Sequence, residues 1–133
     1  MKVIVCVDDE MGMLFNHRRQ SRDQVLNQYL LQLCGDSPLL MNAYSAPLFA
    51  DAPNVKIRED FLEAAGEEDF CFVENQLLRP YEEKINTLVV CHWNRRYPGD
   101  SRLDLDLSAW TLHDAREFSG SSHEKITVEV YNR

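Results

Sequence analysis

The segment Lys2–Asp8, which reads KVIVCVD, decides the fold of this chain. Its apolar run over Val3–Val7 is almost unbroken, as is typical of a strand buried on both faces at the centre of a mostly parallel sheet. Asp8 ends the run, and the residues Met11–Met13 that follow predict a loop rather than a helix. Because ligands of open α/β sheets bind just beyond the carboxyl ends of such strands, we expect a site close to Asp8.

The composition predicts one globular domain over residues 1–133. The chain is 44% hydrophobic and 27% charged, which is ordinary for a domain of this size that buries a single core. No apolar run approaches the roughly 20 residues that span a bilayer, and the N-terminus has no signal-peptide pattern. We therefore expect no membrane partner and a cytoplasmic location.

The net charge and the cysteine pattern restrict which binding partners and which cysteine roles are expected. With 22 acidic against 14 basic residues, the net charge of −8 disfavours a nucleic-acid partner, because neutralised phosphates supply most of that affinity. The cysteines are scattered and form no C-x-x-C pair, so we expect reduced, buried thiols rather than disulfides or metal ligands. These cysteines are Cys6, Cys34, Cys71 and Cys91.

The rest of the chain predicts alternating strands and helices. Ser21 and Gln24 have the spacing of a capping box and Gly35 has the place of a C′ residue, so a helix is expected over about residues 22–34. Strands are predicted at 39–41, 55–58, 70–73, 85–93, 110–118 and 126–131. Short helices or turns are predicted at 42–49, 61–65 and 75–81, and loops at 51–54 and 99–100. This order predicts an α/β fold with a mostly parallel central sheet and a C-terminal antiparallel ribbon.

The layout resembles dihydrofolate reductase. The opening strand and Met11–Met13 resemble the first strand of that family and its Asn-Gly-Ile-Gly loop, and Tyr81–Asp100 resembles a helix, a strand and the Gly-Asp that follows. Ser108–Arg133 resembles the terminal ribbon, which ends in Tyr-x-Arg. The resemblance covers about two-thirds of the chain. It implies a dihydrofolate-reductase-like three-layer sandwich, shortened by one β-α segment between Phe49 and Phe61, and NADPH as the cofactor that such a fold would use.

The chain departs from that family where the chemistry takes place. Val73–Asn75 replaces the family's Gly-Gly pair, and Glu74 adds bulk and negative charge to a wall that would face a phosphate-bearing cofactor. Asn42–Ser45 replaces the phosphate-binding Gly-Arg-Lys-Thr, and only the hydroxyl of Ser45 is kept. The Leu-Pro-Trp segment is absent, and Asp23, the acid nearest to the family's carboxylate, is out of register with it. We therefore expect no active dihydrofolate reductase.

A basic run before the predicted helix is the strongest sign of a ligand site. It comprises His17, Arg18, Arg19 and Arg22 around Ser21, in an otherwise acidic chain. Positive side chains oppose the helix dipole at this end, but they become favourable if an anion binds there. The alternative is that these arginines are solvated and pair with nearby acids such as Asp8.

Polar residues also follow the predicted strands at one edge of the sheet. Because the carboxyl ends of parallel strands meet there, these groups either hold a polar ligand or a hard cation, or serve only as strand-end caps and turns. The residues are Asp8, Asp9, Asn42, Glu74 and Asn75. With the basic run, they give a predicted ligand-binding set of Asp8, Arg18, Arg19, Ser21, Arg22, Asn42, Ser45 and Glu74.

Sequence motifs for metal or nucleophilic chemistry are missing. The four histidines have no metal-ligand spacing, and there is no P-loop or G-x-G-x-x-G. Ser121, Ser122 and His123 are expected to form a polar turn rather than a nucleophile with its base, because no third group is seen to orient the imidazole. Trp93 is expected to pack at the sheet edge rather than to stack on a nucleobase.

Three functions remain open on this reasoning. The first is binding of a small anionic or nucleotide-like molecule by a dihydrofolate-reductase-like fold. The alternatives are a divergent NADPH-dependent reductase and a non-enzymatic interaction protein, in which a homodimer would cover apolar surface left by the short middle region. A nucleic-acid enzyme ranks last, because of the charge and the missing metal motif.

Overall fold

The computed structural model describes residues 1–49 and 52–133, which form two sheets, two α-helices and three 3₁₀ helices. The strands are β1 (Lys2–Val7), β2 (Gly12–Phe15), β3 (Arg18–Arg19), β4 (Leu39–Met41), β5 (Val55–Ile57), β6 (Phe70–Phe72), β7 (Thr87–His92), β8 (Ser101–Arg102), β9 (Thr111–Phe118) and β10 (Ile126–Asn132). The helices are α1 (Gln24–Cys34) and α2 (Phe61–Ala64), with 3₁₀ helices at Ala46–Phe49, Arg79–Lys84 and Leu107–Ala109. No helix in these described ranges is long and apolar enough to cross a membrane.

β1 lies in the middle of the larger sheet, as its apolar run predicts. The seven strands of this sheet follow the order β5-β4-β6-β1-β7-β10-β9. β1 pairs in parallel with β6 and β7, so that Ile4 stands between Phe72 and Val89. β10 pairs antiparallel with both β7 and β9. The mostly parallel sheet with a C-terminal antiparallel ribbon is therefore confirmed.

The larger sheet buries apolar side chains on both faces, which gives the three layers of the predicted sandwich. Successive residues of β1 point to opposite faces of the sheet. Val3 and Val5 belong to the core that includes Phe61 of α2, whereas Ile4 belongs to the core that includes Leu26 of α1. β1 therefore contributes to both cores. A fully buried side chain of this size stabilises the fold by about 1.5–3 kcal/mol.

The start of α1 differs from the prediction, and its end agrees with it. The helix begins at Gln24, and its N-cap is Asp23, whose carboxylate accepts a hydrogen bond from the backbone NH of Leu26 at 3.2 Å. The prediction that Ser21 caps the helix is therefore wrong. Asp and Ser are equally good N-caps in isolation, so the local sequence does not decide between them. Gly35 ends the helix with a φ angle of 58°, as its C′ place predicts.

The residues after β1 form a hairpin instead of the predicted loop. β2 and β3 are joined by Asn16 and His17, whose φ angles of 51° and 63° are positive at both central positions, as in a type I′ turn. β8 pairs with the other edge of β2, so the smaller sheet has the order β3-β2-β8. Sequence reasoning misses this hairpin because the turn reads Asn-His rather than the Asn-Gly that marks such turns.

The middle of the chain shows one further difference from the prediction and one agreement with it. The helix predicted over 75–81 is a 3₁₀ helix that begins later, at Arg79, with Pro80 in its first turn. The strand predicted at 55–58 is confirmed as β5, which pairs in parallel with β4. The predicted loop at 51–54 lies partly outside the described residues.

The four cysteines are free thiols, as predicted. Burial raises the pKa of Cys34 and of Cys71 to about 12. Because the thiolate is the reactive form, neither side chain is a nucleophile near neutral pH. These two cysteines therefore act as small core residues.

We expect Gly120→Ala to destabilise the protein by about 1–3 kcal/mol. Gly120 lies between β9 and β10, and an added Cβ would lie 2.8 Å from the carboxyl carbon of Asp23 and 2.8 Å from Cδ1 of Ile126, both buried. Urea denaturation measures the loss. Gly66→Ala is the matched control, because its added Cβ comes no closer than 3.5 Å to another atom. Equal stability of the two variants would contradict this account of the loop.

Candidate functional site

Asp8 fixes the loop after β1. Its carboxylate accepts hydrogen bonds from the backbone NH groups of Gly12 at 2.7 Å, Glu10 at 3.0 Å and Tyr97 at 3.0 Å. Burial raises the pKa of Asp8, but these three hydrogen bonds outweigh burial and hold the pKa below its usual value. The carboxylate therefore stays ionised and ties the β2–β3 hairpin to the segment that follows β7.

Arg19 and Glu74 form a bidentate ion pair. Nε of Arg19 lies 2.9 Å from one carboxylate oxygen of Glu74, and a terminal guanidinium nitrogen lies 3.0 Å from the other. The two side chains are 23% and 10% exposed, so water screens the pair only in part. The guanidinium also stacks over the ring of Tyr44 at 4.5 Å. Hydrogen bonding to Glu74 raises the pKa of Arg19, as expected of a charge-assisted pair.

The turn after β4 joins the same network. The hydroxyl of Ser45 donates to Glu74 at 2.7 Å, and the backbone NH of Ser45 donates to Oδ1 of Asn42 at 3.3 Å. Nδ2 of Asn42 in turn donates to Oδ1 of Asn75 at 2.8 Å. Arg19, Asn42, Ser45 and Glu74 are therefore one connected group, here called the Arg19–Glu74 cluster.

A cleft opens beside Arg19, between the β2–β3 hairpin and the segment after β7, with a volume of about 280 Å³. It is lined by Phe15, Asn16, Arg18, Arg19, Gln20, Tyr97 and Pro98. Phe15 is 50% exposed. Arg18 is also exposed, and it pairs with no acid among residues 1–49 and 52–133. This hairpin cleft therefore combines aromatic rings with an available guanidinium.

Gln20 contributes a half-buried side chain to the hairpin cleft. Its Nε2 donates to the carbonyl of Pro98 at 3.3 Å. A Cβ added to Gly12 or to Gly99 would lie 2.7 Å from that nitrogen, so both glycines make room for the amide. Its Oε1 is buried and has no hydrogen-bond partner in the described part of the chain. An acceptor is therefore left unused at this wall.

Asp23 and His123 form a buried pair at the start of α1. Nδ1 of His123 lies 2.9 Å from Oδ2 of Asp23, and the two side chains are 1% and 0% exposed. Asp23 also accepts hydrogen bonds from the backbone NH groups of Ser121 at 3.0 Å and Ser122 at 2.9 Å. The loop between β9 and β10 is thereby fastened to the helix.

These contacts decide the protonation of both members of the pair. Burial raises the pKa of Asp23, but hydrogen bonds from His123 and from the backbone NH groups of Ser122, Ser121 and Leu26 outweigh it and hold the pKa well below its usual value. A carboxylate only accepts hydrogen bonds, so Nδ1 of His123 carries a proton. In the neutral form of the imidazole, Nε2 is then an acceptor.

Nε2 of His123 faces two hydroxyl groups. The hydroxyl of Ser21 lies 3.0 Å from it and the hydroxyl of Tyr97 lies 2.9 Å from it, and the two oxygens are 3.4 Å apart. The imidazole stacks on the ring of Trp93, with centroids 4.6 Å apart. Trp93 is 4% exposed, so the packing role predicted for it is confirmed.

The structure divides the predicted ligand-binding set among several places. Half of its members meet in the Arg19–Glu74 cluster. Arg18 lines the hairpin cleft, and Asp8 holds the loop after β1. Ser21 contacts His123, and Arg22 is exposed, with its carbonyl accepting a hydrogen bond from Ser122. The basic run therefore does not act as one unit at the helix terminus.

Sequence reasoning misses several residues around Ser21. Gln20 and Tyr97 carry no motif, and His123 lies 100 positions from Asp23. Ser121 and Ser122 do lie in a polar turn, but the expectation that no third group orients His123 is wrong, because Asp23 does so. No local pattern links these positions, so only their placement by the sheet reveals the group.

Comparison with known proteins supports the fold. No protein-family model and no curated protein matches the sequence. Among solved structures, dihydrofolate reductase from Enterococcus faecalis complexed with NADP(H) and RAB-propyl matches with a TM-score of 0.70 over 99% of this chain and 95% of that chain, at 10% sequence identity. The similarity thus extends beyond the two-thirds recognised in the sequence, and the chain has the fold of dihydrofolate reductase.

The turn after β4 does not fit the phosphate of a dinucleotide cofactor. The backbone NH of Ala43 donates to the carboxylate of Glu59 at 2.9 Å, and the NH of Ser45 donates to Asn42. The Ser45 hydroxyl donates to Glu74. A phosphate at this turn would meet two carboxylates and find these donors already used, so its binding would be unfavourable.

We expect Asp23→Asn to lower the free energy of unfolding by about 2–4 kcal/mol at pH 7. The folded-state pKa of Asp23 lies below the unfolded value of about 3.9. The carboxylate therefore stabilises the fold fully at pH values above the unfolded pKa, and this stabilisation is lost as the pH falls towards the folded-state pKa. The stability difference between the two proteins should therefore shrink below about pH 4. Urea denaturation at several pH values measures it, with the exposed Asp36→Asn as control. A difference that stays constant down to pH 3 would refute the linkage.

We expect Glu74→Gln to lower the free energy of unfolding by about 1–3 kcal/mol, because it removes the charged partner of a shielded guanidinium. The exposed Glu83→Gln is the control and should be nearly neutral. Arg19→Met should cost less in the Glu74→Gln background than alone, since the two side chains are coupled. Strictly additive losses would show that the ion pair does not stabilise the fold.

Proposed function

We propose that the chain binds a small anionic, nucleotide-like molecule in the hairpin cleft and has no dihydrofolate reductase activity. The observation that carries the proposal is the meeting of one exposed guanidinium, Arg18, with two aromatic side chains, Phe15 and Tyr97, in a single cleft. A guanidinium suits a phosphate or carboxylate group. Aromatic rings suit a base or another planar group.

Arg18 is the cation that is available to a ligand. Arg19 lines the same cleft, but Glu74 already neutralises it. Arg18 is exposed and forms no ion pair with the residues that the structure describes. Because the whole chain carries a net charge of −8, an anion needs a local cation of this kind to approach the surface.

The uncharged groups of the cleft support a nucleotide-like ligand. Phe15 keeps half of its surface exposed, and stacking of a base on an aromatic side chain is worth about 1–3 kcal/mol. A planar base is therefore the kind of group that this exposed ring would bind.

The size of the cleft favours a small ligand. Its volume of about 280 Å³ lies just below the range of about 300–1,000 Å³ that is typical of small-molecule sites. A mononucleotide is nearer to this size than a dinucleotide such as NADPH. The fold therefore supports the alternative of a divergent reductase, but the size of the cleft and the turn after β4 do not.

The test is a thermal shift in the presence of inorganic phosphate and of a panel of nucleoside monophosphates. Saturation at about 100 times the Kd should stabilise the folded chain by about 2.7 kcal/mol, and the shift should weaken as salt is added. Arg18→Gln should abolish the shift. Arg79→Gln, which removes an exposed arginine outside the cleft, should leave it intact.

The contributions of the two halves of the ligand are separable. Phe15→Ala should weaken the effect of nucleotides and leave that of inorganic phosphate unchanged. Absence of a shift across the whole panel, or an equal loss in the Arg18 and Arg79 variants, overturns the proposal. A change in NADPH fluorescence on binding would favour the reductase instead.

A further inference from the structure

Ser21, His123 and Asp23 form a continuous chain of hydrogen bonds. Oγ of Ser21 lies 3.0 Å from Nε2 of His123, and Nδ1 of the same imidazole lies 2.9 Å from Oδ2 of Asp23. Serine, imidazole and carboxylate in this order are the nucleophile, base and orienting group of serine hydrolases. We infer that Ser21 is a nucleophile and that the chain hydrolyses carboxylic esters.

Capping of α1 does not require this arrangement. The cap uses Oδ1 of Asp23, which accepts from the backbone NH of Leu26 at 3.2 Å. The other oxygen, Oδ2, receives Nδ1–H of His123. This second contact fixes the tautomer of the neutral imidazole, so that the lone pair on Nε2 faces the hydroxyls of Ser21 and Tyr97. The pair therefore has the polarity that a general base needs.

The base is held rigidly and away from water, whereas the nucleophile is reachable. The side chains of His123 and Asp23 are 1% and 0% exposed, and the ring of Trp93 stacks on the imidazole at 4.6 Å. Ser21 is half-buried, so it is the member of the group that a reactant can meet. The imidazole is thus held in one orientation beside an accessible hydroxyl, as a preorganised catalytic pair requires.

Ser21 also lies next to the hairpin cleft. The preceding residue, Gln20, lines that cleft, and so does Tyr97, whose hydroxyl is 3.4 Å from Oγ of Ser21. The hydroxyl of Tyr97 also lies 2.9 Å from Nε2 of His123, so proton transfer from Ser21 requires Ser21 rather than Tyr97 to donate to the single lone pair of that nitrogen. An ester seated in the cleft can place its carbonyl carbon at Ser21.

The reaction proceeds in two balanced halves. Oγ of Ser21 bonds to the carbonyl carbon while its proton passes to Nε2 of His123. The bond from that carbon to the alcohol oxygen then breaks, and His123 returns the proton so that a neutral alcohol leaves. Water attacks the acyl-serine in the same way, and the products are a carboxylic acid and the free Ser21 hydroxyl.

The substrate class rests on the proposed function. If Arg18 holds an anion in the hairpin cleft, the preferred ester carries a phosphate or carboxylate group at a distance from the scissile bond. The nucleophilic role of Ser21 does not depend on that anion, so small neutral reagents test it separately.

The experiment treats the full chain with diisopropyl fluorophosphate and locates the adduct by intact mass and peptide mapping. One phosphoryl group on Ser21 is expected. p-Nitrophenyl acetate should be hydrolysed, and Ser21→Ala should reduce the rate by about 100-fold or more. Ser119→Ala removes an exposed serine nearby and should change neither result. Thermal melting confirms that each variant is folded.

Two results overturn the inference: no adduct on Ser21 of the unaltered chain, or undiminished hydrolysis by a folded Ser21→Ala variant. The unaltered chain separates this inference from the binding proposal, because labelling by the neutral reagent and the phosphate-dependent thermal shift are measured independently on it. Labelling without any anion effect would remove the binding proposal and leave Ser21 as a nucleophile.

Discussion

The buried carboxylate of Asp23 is the contact on which the rest of the site depends. It caps α1, accepts hydrogen bonds from the loop between β9 and β10, and orients His123. Each buried donor that lost this partner would cost about 1–3 kcal/mol. One side chain thus fixes the relative positions of a helix, a loop and an imidazole that come from distant parts of the sequence.

Asp8 plays a matching part on the other side of the hairpin cleft. It accepts hydrogen bonds from the backbone of the β2–β3 hairpin and from the NH of Tyr97. The hydroxyl of Tyr97 meanwhile contacts His123, which Asp23 holds. Tyr97 is therefore secured at both its backbone and its hydroxyl, and the wall of the cleft that it forms is set by two buried carboxylates.

The larger sheet could be predicted because its signals are local. The apolar run of β1 and the C′ glycine at Gly35 act within a few residues, and the order of elements along the chain suffices to suggest the dihydrofolate reductase fold. The hairpin at Asn16 and His17 could not be predicted in the same way, because its turn departs from the common residues. The Asp23–His123 pair leaves no local pattern at all. In the Arg19–Glu74 cluster, the meeting of Asn42 with the Glu74 segment follows from the rule that parallel strand ends meet. The place of Arg19 depends on the hairpin and does not follow from that rule.

The separation of 100 positions between Asp23 and His123 has a consequence for the order of folding. Contacts that close a long loop lose more chain entropy than local ones, so they form after nearby structure is in place. α1 is synthesised long before the β9–β10 ribbon that supplies its partner loop. During synthesis on the ribosome, Asp23 is therefore made before its imidazole and loop partners, and Ser21 acquires its imidazole only after the β9–β10 loop has been made.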